Sequence, residues 1–187
     1  MTVARAAKHI TDAEYRTRFY GDLILGETFE SAWTSVTQDE ILRFAADFDR
    51  QYFHADAEAA MESPFQGLIA SGAHTFAVWN RVNLDMNGDI AWIAGVGFEH
   101  FRFPTALRPA VQFQARSELI HARESKSDPT RGIVTHLYSL WTRDGDCLFT
   151  AECIALVHRR NHQGCEGTAL TPIETPPPRL PEPEKRG

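Results

Sequence analysis

Apolar and polar positions change rhythm along this chain, and each rhythm predicts an element. Residues 27–36, "ETFESAWTSV", alternate and read as a strand. The pattern then turns helical. Thr37-Gln38-Asp39-Glu40 is a capping box: the threonine hydroxyl takes an orphan amide and Glu40 reaches back. Ile41, Phe44 and Ala45 keep helical spacing, with an end expected near Asp47. Asp56 suits the N-cap of a short helix over 57–62 that Pro64 ends, so residues 49–55 read as a loop. A longer helix starts at Ser71–Gly72 and runs to Asn87-Gly88. Phe76, Ala77 and Trp79 make it apolar enough to predict burial rather than half-exposure.

From residue 91 the period shortens to two. Strands are predicted over 91–103 (ended by Pro104), 111–125, 132–143 and 147–160. Asp144-Gly145-Asp146 joins the last two, and Asp-Gly is a strong hairpin signal. The order of elements calls for an α+β domain in which a largely antiparallel sheet wraps one long central helix. Such a sheet leaves an edge uncovered, which predicts a homodimer.

Composition narrows the class. The 187 residues suffice for one well-buried core, 43% are apolar, and the formal charge is −6. An acidic balance argues against nucleic acid as a partner. No signal peptide is read at the N-terminus, and no apolar run is long enough to span a bilayer, so no membrane partner and a cytoplasmic setting are expected. The three cysteines match no metal spacing, and Cys147 and Cys153 read as buried thiols. Residues 163–187 hold six of the ten prolines and read as an extended or disordered tail. Residues 1–20 read as an N-terminal extension and 21–162 as the domain.

Candidate chemistry sits in "FAADFDRQYFHADAEAAMESPFQGLIASGAHT". Asp49 and His54 can converge if their loop turns, and Phe48, Tyr52 and Phe53 give them an apolar setting. An acid and an imidazole in such a place suit proton transfer to and from water. Gly72 opens the long helix, where unpaired amides and the positive dipole end favour a developing oxyanion. Without a Cβ, it lets a ligand oxygen approach closely. Together the three suggest addition of water across a double bond conjugated to a thioester.

These residues also carry a resemblance. "DRQYFHADAEAA" (49–60) resembles the Asp-x-Asn-Pro-x-His motif of the MaoC-like dehydratase family, the hotdog-fold group that includes (R)-specific enoyl-CoA hydratases. "FQGLIASG" (65–72) and "FEHFRFPTALRPA" (98–110) resemble the family's following segments, and the likeness covers roughly residues 26–157. It implies a hotdog fold, usually dimeric, and an acyl thioester of coenzyme A or acyl carrier protein as substrate. It gives Asp49 and His54 the catalytic role, the Gly72 amide the thioester oxygen, and Gln51 a supporting place beside the pair. Asn80 stands where the family often has a serine. No cofactor and no metal are implied. The sequence departs from the family at Tyr52, where a proline is usual, and at Ala110-Val111, where Gly-Asp is usual.

Other reactive residues have plainer uses. His74 reads as a hydrogen-bonded core histidine, and the remaining histidines show no ligand spacing. Arg102, Arg108, Arg159 and Arg160 could meet the phosphates of coenzyme A or simply be solvated. Phe76, Trp79, Trp92 and Trp141 read as core; whether Phe76 and Trp79 close an acyl tunnel depends on their direction. The expected activity is reversible hydration of a 2-enoyl-CoA to a 3-hydroxyacyl-CoA. A hotdog acyl-CoA thioesterase and a non-catalytic acyl-thioester-binding module are the alternatives.

Overall fold

The computed structural model describes residues 2–4 and 17–160. The Pro-rich tail predicted over 163–187 and most of the predicted extension over 1–20 lie outside the described residues. Within them the chain forms strands β1 (Thr2–Ala4), β2 (Thr28–Glu30), β3 (Trp92–Arg102), β4 (Phe113–Glu124), β5 (Arg131–Thr142) and β6 (Cys147–His158). Helices α1 (Gln38–Phe48), α2 (Tyr52–Ala55) and α3 (Gly72–Asn87) lie between β2 and β3. Strand order is β1-β2-β4-β5-β6-β3, antiparallel throughout except for the parallel β1–β2 pair. The result is the α+β hotdog arrangement: a sheet around α3.

Local chemistry explains the elements. Thr37 and Glu40 form the expected capping box, with Glu40 N–H on Thr37 Oγ1 (3.2 Å) and Thr37 N–H on Glu40 Oε2 (2.7 Å). Ser71 caps α3 by accepting from His74 N–H at 3.1 Å. The β5–β6 hairpin turns with Gly145 at φ +87°, a left-handed conformation glycine adopts without strain. The core joins α3 (Val78, Trp79, Val82, Met86) to the inward positions of the sheet (Leu119, Val134, Tyr138, Leu140, Phe149, Val157). Cys147 and Cys153 are buried free thiols, pushed up to about 11 by burial.

Residues ahead of the first long element also pack. Arg18 bridges to Ile90 and pairs with Glu27 and Asp89, each at 3.0 Å, and Tyr20 is buried. The Tyr20 ring lies on Gly132 of β5 so closely that a Cβ there would fall 1.9 Å from it.

The elements differ from expectation in several places, and the short helix predicted over 57–62 is a 3-10 turn at Ala59–Glu62. The strand predicted over 27–36 is regular only at Thr28–Glu30, because Ser31 Oγ accepts Ala115 N–H (3.0 Å) in place of a ladder carbonyl; pairing resumes at Thr34 opposite Phe113. Residues 52–55 form a helical turn rather than a loop. In this single chain α3 is half-exposed: its inner positions are buried, while Ala73, Ala77, Asn80, Arg81 and Leu84 face out. Among the described residues, no helix is long and apolar enough to cross a membrane.

Candidate active site

Asp49 ends α1, its N–H bonded to Ala45 O at 3.0 Å. The chain reverses at Arg50-Gln51 and enters α2, where His54 N–H and Ala55 N–H both reach Gln51 O (2.8 and 3.0 Å). This turn carries His54 inward to 6% exposure and leaves Asp49 half-buried beside it. His54 Nε2 lies 3.9 Å from Asp49 Oδ2. The other carboxylate oxygen of Asp49 accepts Gln51 Nε2–H at 3.0 Å. The sequence trio Asp49, Gln51 and His54 is therefore one cluster in space.

A backbone contact fixes the imidazole. His54 Nδ1 is 2.8 Å from Ile69 O, a carbonyl that can only accept, so Nδ1 bears the hydrogen. Neutral His54 then presents a bare Nε2 lone pair toward Asp49. Ile69 N–H in turn bonds Phe53 O at 3.2 Å, and Ala70 N–H bonds Leu107 O at 2.8 Å. The segment leading into α3 is thus strapped to the histidine turn. Nothing in the sequence marks Ile69 for this role, since any residue supplies a carbonyl.

Two acceptors 3.9 Å apart suit one water. A water oxygen ~2.8 Å from each sees them at an angle of roughly 90°, near its own H–O–H angle, so it can donate to both. Both oxygen lone pairs are then free, and one can face a reacting carbon.

Gly72 begins α3 three residues beyond Ile69, within about 10 Å of extended chain. Its N–H and that of Ala73 have no acceptor among the described residues, as the first turn of a helix dictates. The expected reason for the glycine changes, however. The space its Cβ would take is filled by the Phe103 ring, whose Cε2 would lie 2.9 Å away. The glycine admits a ring of its own chain. Phe103 was not singled out from the sequence as a site residue, although it lies in one of the segments that carry the family resemblance.

Other expectations resolve as follows. Asn80 is exposed on α3, about 12 Å along the helix from Gly72. Of the three aromatics expected around the pair, only Phe53 packs on His54, edge-on at 4.5 Å; Phe48 and Tyr52 point outward, 74% and 47% exposed. Tyr52 occupies the first position of α2, where proline's fixed φ and missing N–H are both compatible, so the turn forms without the proline. Ala110 has φ +61°, which explains the family's glycine there. Asp56 caps as expected, accepting Glu58 and Ala59 N–H at 2.9 and 3.0 Å.

His74 is buried but not hydrogen-bonded through Nδ1. It stacks flat on Phe44 at 4.5 Å, and burial lowers its pKa. The four arginines do not form one anion site. Arg102 pairs across the sheet near Thr150, whereas Arg159 and Arg160 lie at the other end of β6, roughly 30 Å away, bound to Glu124 and Asp22. Arg108 donates through one Nη to Phe65 O. Strand pairing does bring Glu99, His100 and Glu152 together, with ligand atoms within 4.8 Å of one another on the exposed side of β3–β6.

A helix-wrapped hotdog sheet with a His–Asp pair strapped to the start of its central helix defines the class. The chain belongs to the MaoC-like domain family, which it matches over residues 23–138. It is 30% identical over 140 residues, 74% of its length and 97% of the relative's, to the uncharacterised protein YdeM of Bacillus subtilis. It is 32% identical over 94 residues, 49% of its length and 62% of the relative's, to 3-hydroxyacyl-thioester dehydratase Z of Mycobacterium tuberculosis. Its fold matches the crystal structure of the MaoC-like dehydratase from Rhodospirillum rubrum (TM-score 0.72, 35% identity, 77% of this chain and 99% of that one). At 20% identity, R-hydratase PhaJ1 of Pseudomonas aeruginosa shares the fold (TM-score 0.62, 76% and 86% covered).

Proposed function

We propose that the protein is an acyl-thioester (de)hydratase that reversibly converts a 2-enoyl-CoA, or the same acyl group on a carrier protein, to the 3-hydroxyacyl thioester. The observation that carries this reading is the 3.9 Å gap between His54 Nε2, a lone-pair acceptor, and Asp49 Oδ2. Water held in that gap bonds through oxygen to C3 while one of its protons passes to Asp49 or His54. The C2–C3 electron pair moves to the thioester oxygen as an enolate, stabilised by the Gly72 N–H and the positive end of α3. The group that took the water proton delivers it to C2 of the enolate and is restored. The names of two relatives, a 3-hydroxyacyl-thioester dehydratase and a MaoC-like dehydratase, support the same reaction class.

The working unit is a homodimer in this reading. β3 is an edge strand of 11 residues with exposed Ile93, Val96 and Phe98, and the outward stripe of α3 carries small Ala73 and Ala77. A second copy would cover both.

The test follows enoyl-thioester absorbance with wild type, Asp49→Asn and His54→Ala, with free thiol measured in parallel. Hydration by wild type and its loss in both variants is expected. Thiol release without hydration would indicate a thioesterase. No turnover on any short or medium enoyl-CoA would remove the reading.

A further inference from the structure

The space behind Gly72 is closed by aromatic rings. Phe103 lies against the Gly72 Cα, and its ring centroid is 5.1 Å from Phe101 and 5.6 Å from Phe149. Phe76 stands 5.2 Å from Phe101 and 5.1 Å from Trp79, and Trp79 lies 5.4 Å from Phe149. Centroids at these separations are rings in direct contact. A methylene chain lying between two rings needs roughly 7–8 Å between them, two carbon–carbon contact distances. The inner face of α3 from Gly72 to Trp79 therefore offers no lane for an alkyl chain. Phe149 and Trp79 are almost fully buried, whereas Phe103 keeps 40% of its surface exposed.

We infer that Phe103 is the wall that limits acyl length, and that the site takes short acyl groups of about four carbons. This rests on the reading of the Gly72 amide as the thioester carbonyl site. With the carbonyl there and C3 at the Asp49–His54 water, a four-carbon group leaves one methyl to place. An eight-carbon group has five carbons beyond C3 and meets the packed rings. Phe103 would act on specificity without taking part in proton transfer.

Calorimetric binding of butyryl-CoA and octanoyl-CoA to wild type, Phe103→Leu and Phe103→Ala tests this, with free coenzyme A as reference. Wild type should bind butyryl-CoA at least tenfold more tightly than octanoyl-CoA. The ratio should fall at least fivefold in Phe103→Ala and by less in Phe103→Leu, which retains packing. Equal or tighter octanoyl binding by wild type overturns the inference. So does a ratio unchanged in both variants, or no binding beyond that of coenzyme A. Crotonyl-CoA hydration by the same preparations separates the two levels. Preference without turnover upholds the length limit and removes the hydratase reading; turnover without preference does the reverse.

Discussion

His54 Nδ1 lies 2.8 Å from the carbonyl oxygen of Ile69, and this contact decides which imidazole nitrogen can receive a proton. Separating the two nitrogens by mutation is therefore possible. His54→Asn can still offer an amide N–H to Ile69 but has no base at the Nε2 position. Its turnover should fall by about 10² or more, with thermal stability nearly unchanged. His54→Phe also orphans a buried carbonyl and should cost about 1–3 kcal/mol in addition. Enoyl-thioester turnover and denaturant unfolding of both variants check this. Full activity in His54→Asn would sink the assignment.

Tyr52 should accept proline. It is the first residue of α2, and Gln51 before it has φ −64° and ψ 136°, the extended conformation that a following proline requires. Tyr52→Pro is expected to keep the fold and hydratase turnover within about threefold of wild type and to gain up to ~1 kcal/mol by restricting the unfolded chain. Calorimetric melting and the turnover assay decide it; a loss of stability would show that the Tyr52 ring matters more than the turn.

Ala110 holds a left-handed conformation (φ +61°) that disfavours a Cβ. Ala110→Gly relieves that cost, partly offset by the freer unfolded chain. Stability should rise by about 0.5–1 kcal/mol, or ~1–4 °C in Tm. A drop in Tm would contradict it.

Gly132 has the opposite constraint. A Cβ there would meet the Tyr20 ring at 1.9 Å, so Gly132→Ala should destabilise by about 1–3 kcal/mol or more. Tyr20→Ala is costly alone through a lost buried ring. The double variant should be less destabilised than the sum of the singles, because the ring that clashes is gone. Strict additivity in urea unfolding would argue against the clash.

His136 gives the acid limb of the stability curve a specific component. Burial in β5 lowers its pKa to about 3, with Arg18 adding in the same direction. The unfolded chain binds a proton at this position near pH 6.5 and the native state does not. Its contribution is thus fully present above about pH 6.5 and is lost as pH falls toward about 3. His136→Phe should flatten the slope of stability between these values by up to about 1.4 kcal/mol per pH unit. Unfolding free energies measured at pH 7, 6, 5 and 4 test this; parallel curves would exclude His136 as the titrating group.

What could be read from the sequence is local. The Thr37–Glu40 box, the Ser71 cap, the Asp56 cap and the hairpin at Gly145 are each decided by residues within one turn. Asp49 and His54 lie on either side of one short reversal, so their convergence was also within reach. Features that depend on register were not. The ring over Gly72 comes from Phe103, just past the end of β3, and Arg102 separates from Arg159 and Arg160 because the β3–β6 pairing sets them at opposite ends. The outward stripe of α3 is a different case: Ala73 and Ala77 count as apolar in any periodicity, and in the single chain they stand exposed.

The position of β3 has a consequence for biosynthesis. Trp92 pairs with Val157, so the strand that follows α3 waits for the final strand before it gains a neighbour. During translation α3 and β3 emerge with their aromatic side chains uncovered, while β4, β5 and β6 are still being made. Pairing over such a separation is slow relative to local structure, and the nascent chain is exposed to aggregation until β6 arrives. Truncated chains ending before residue 147 should therefore depend strongly on chaperones.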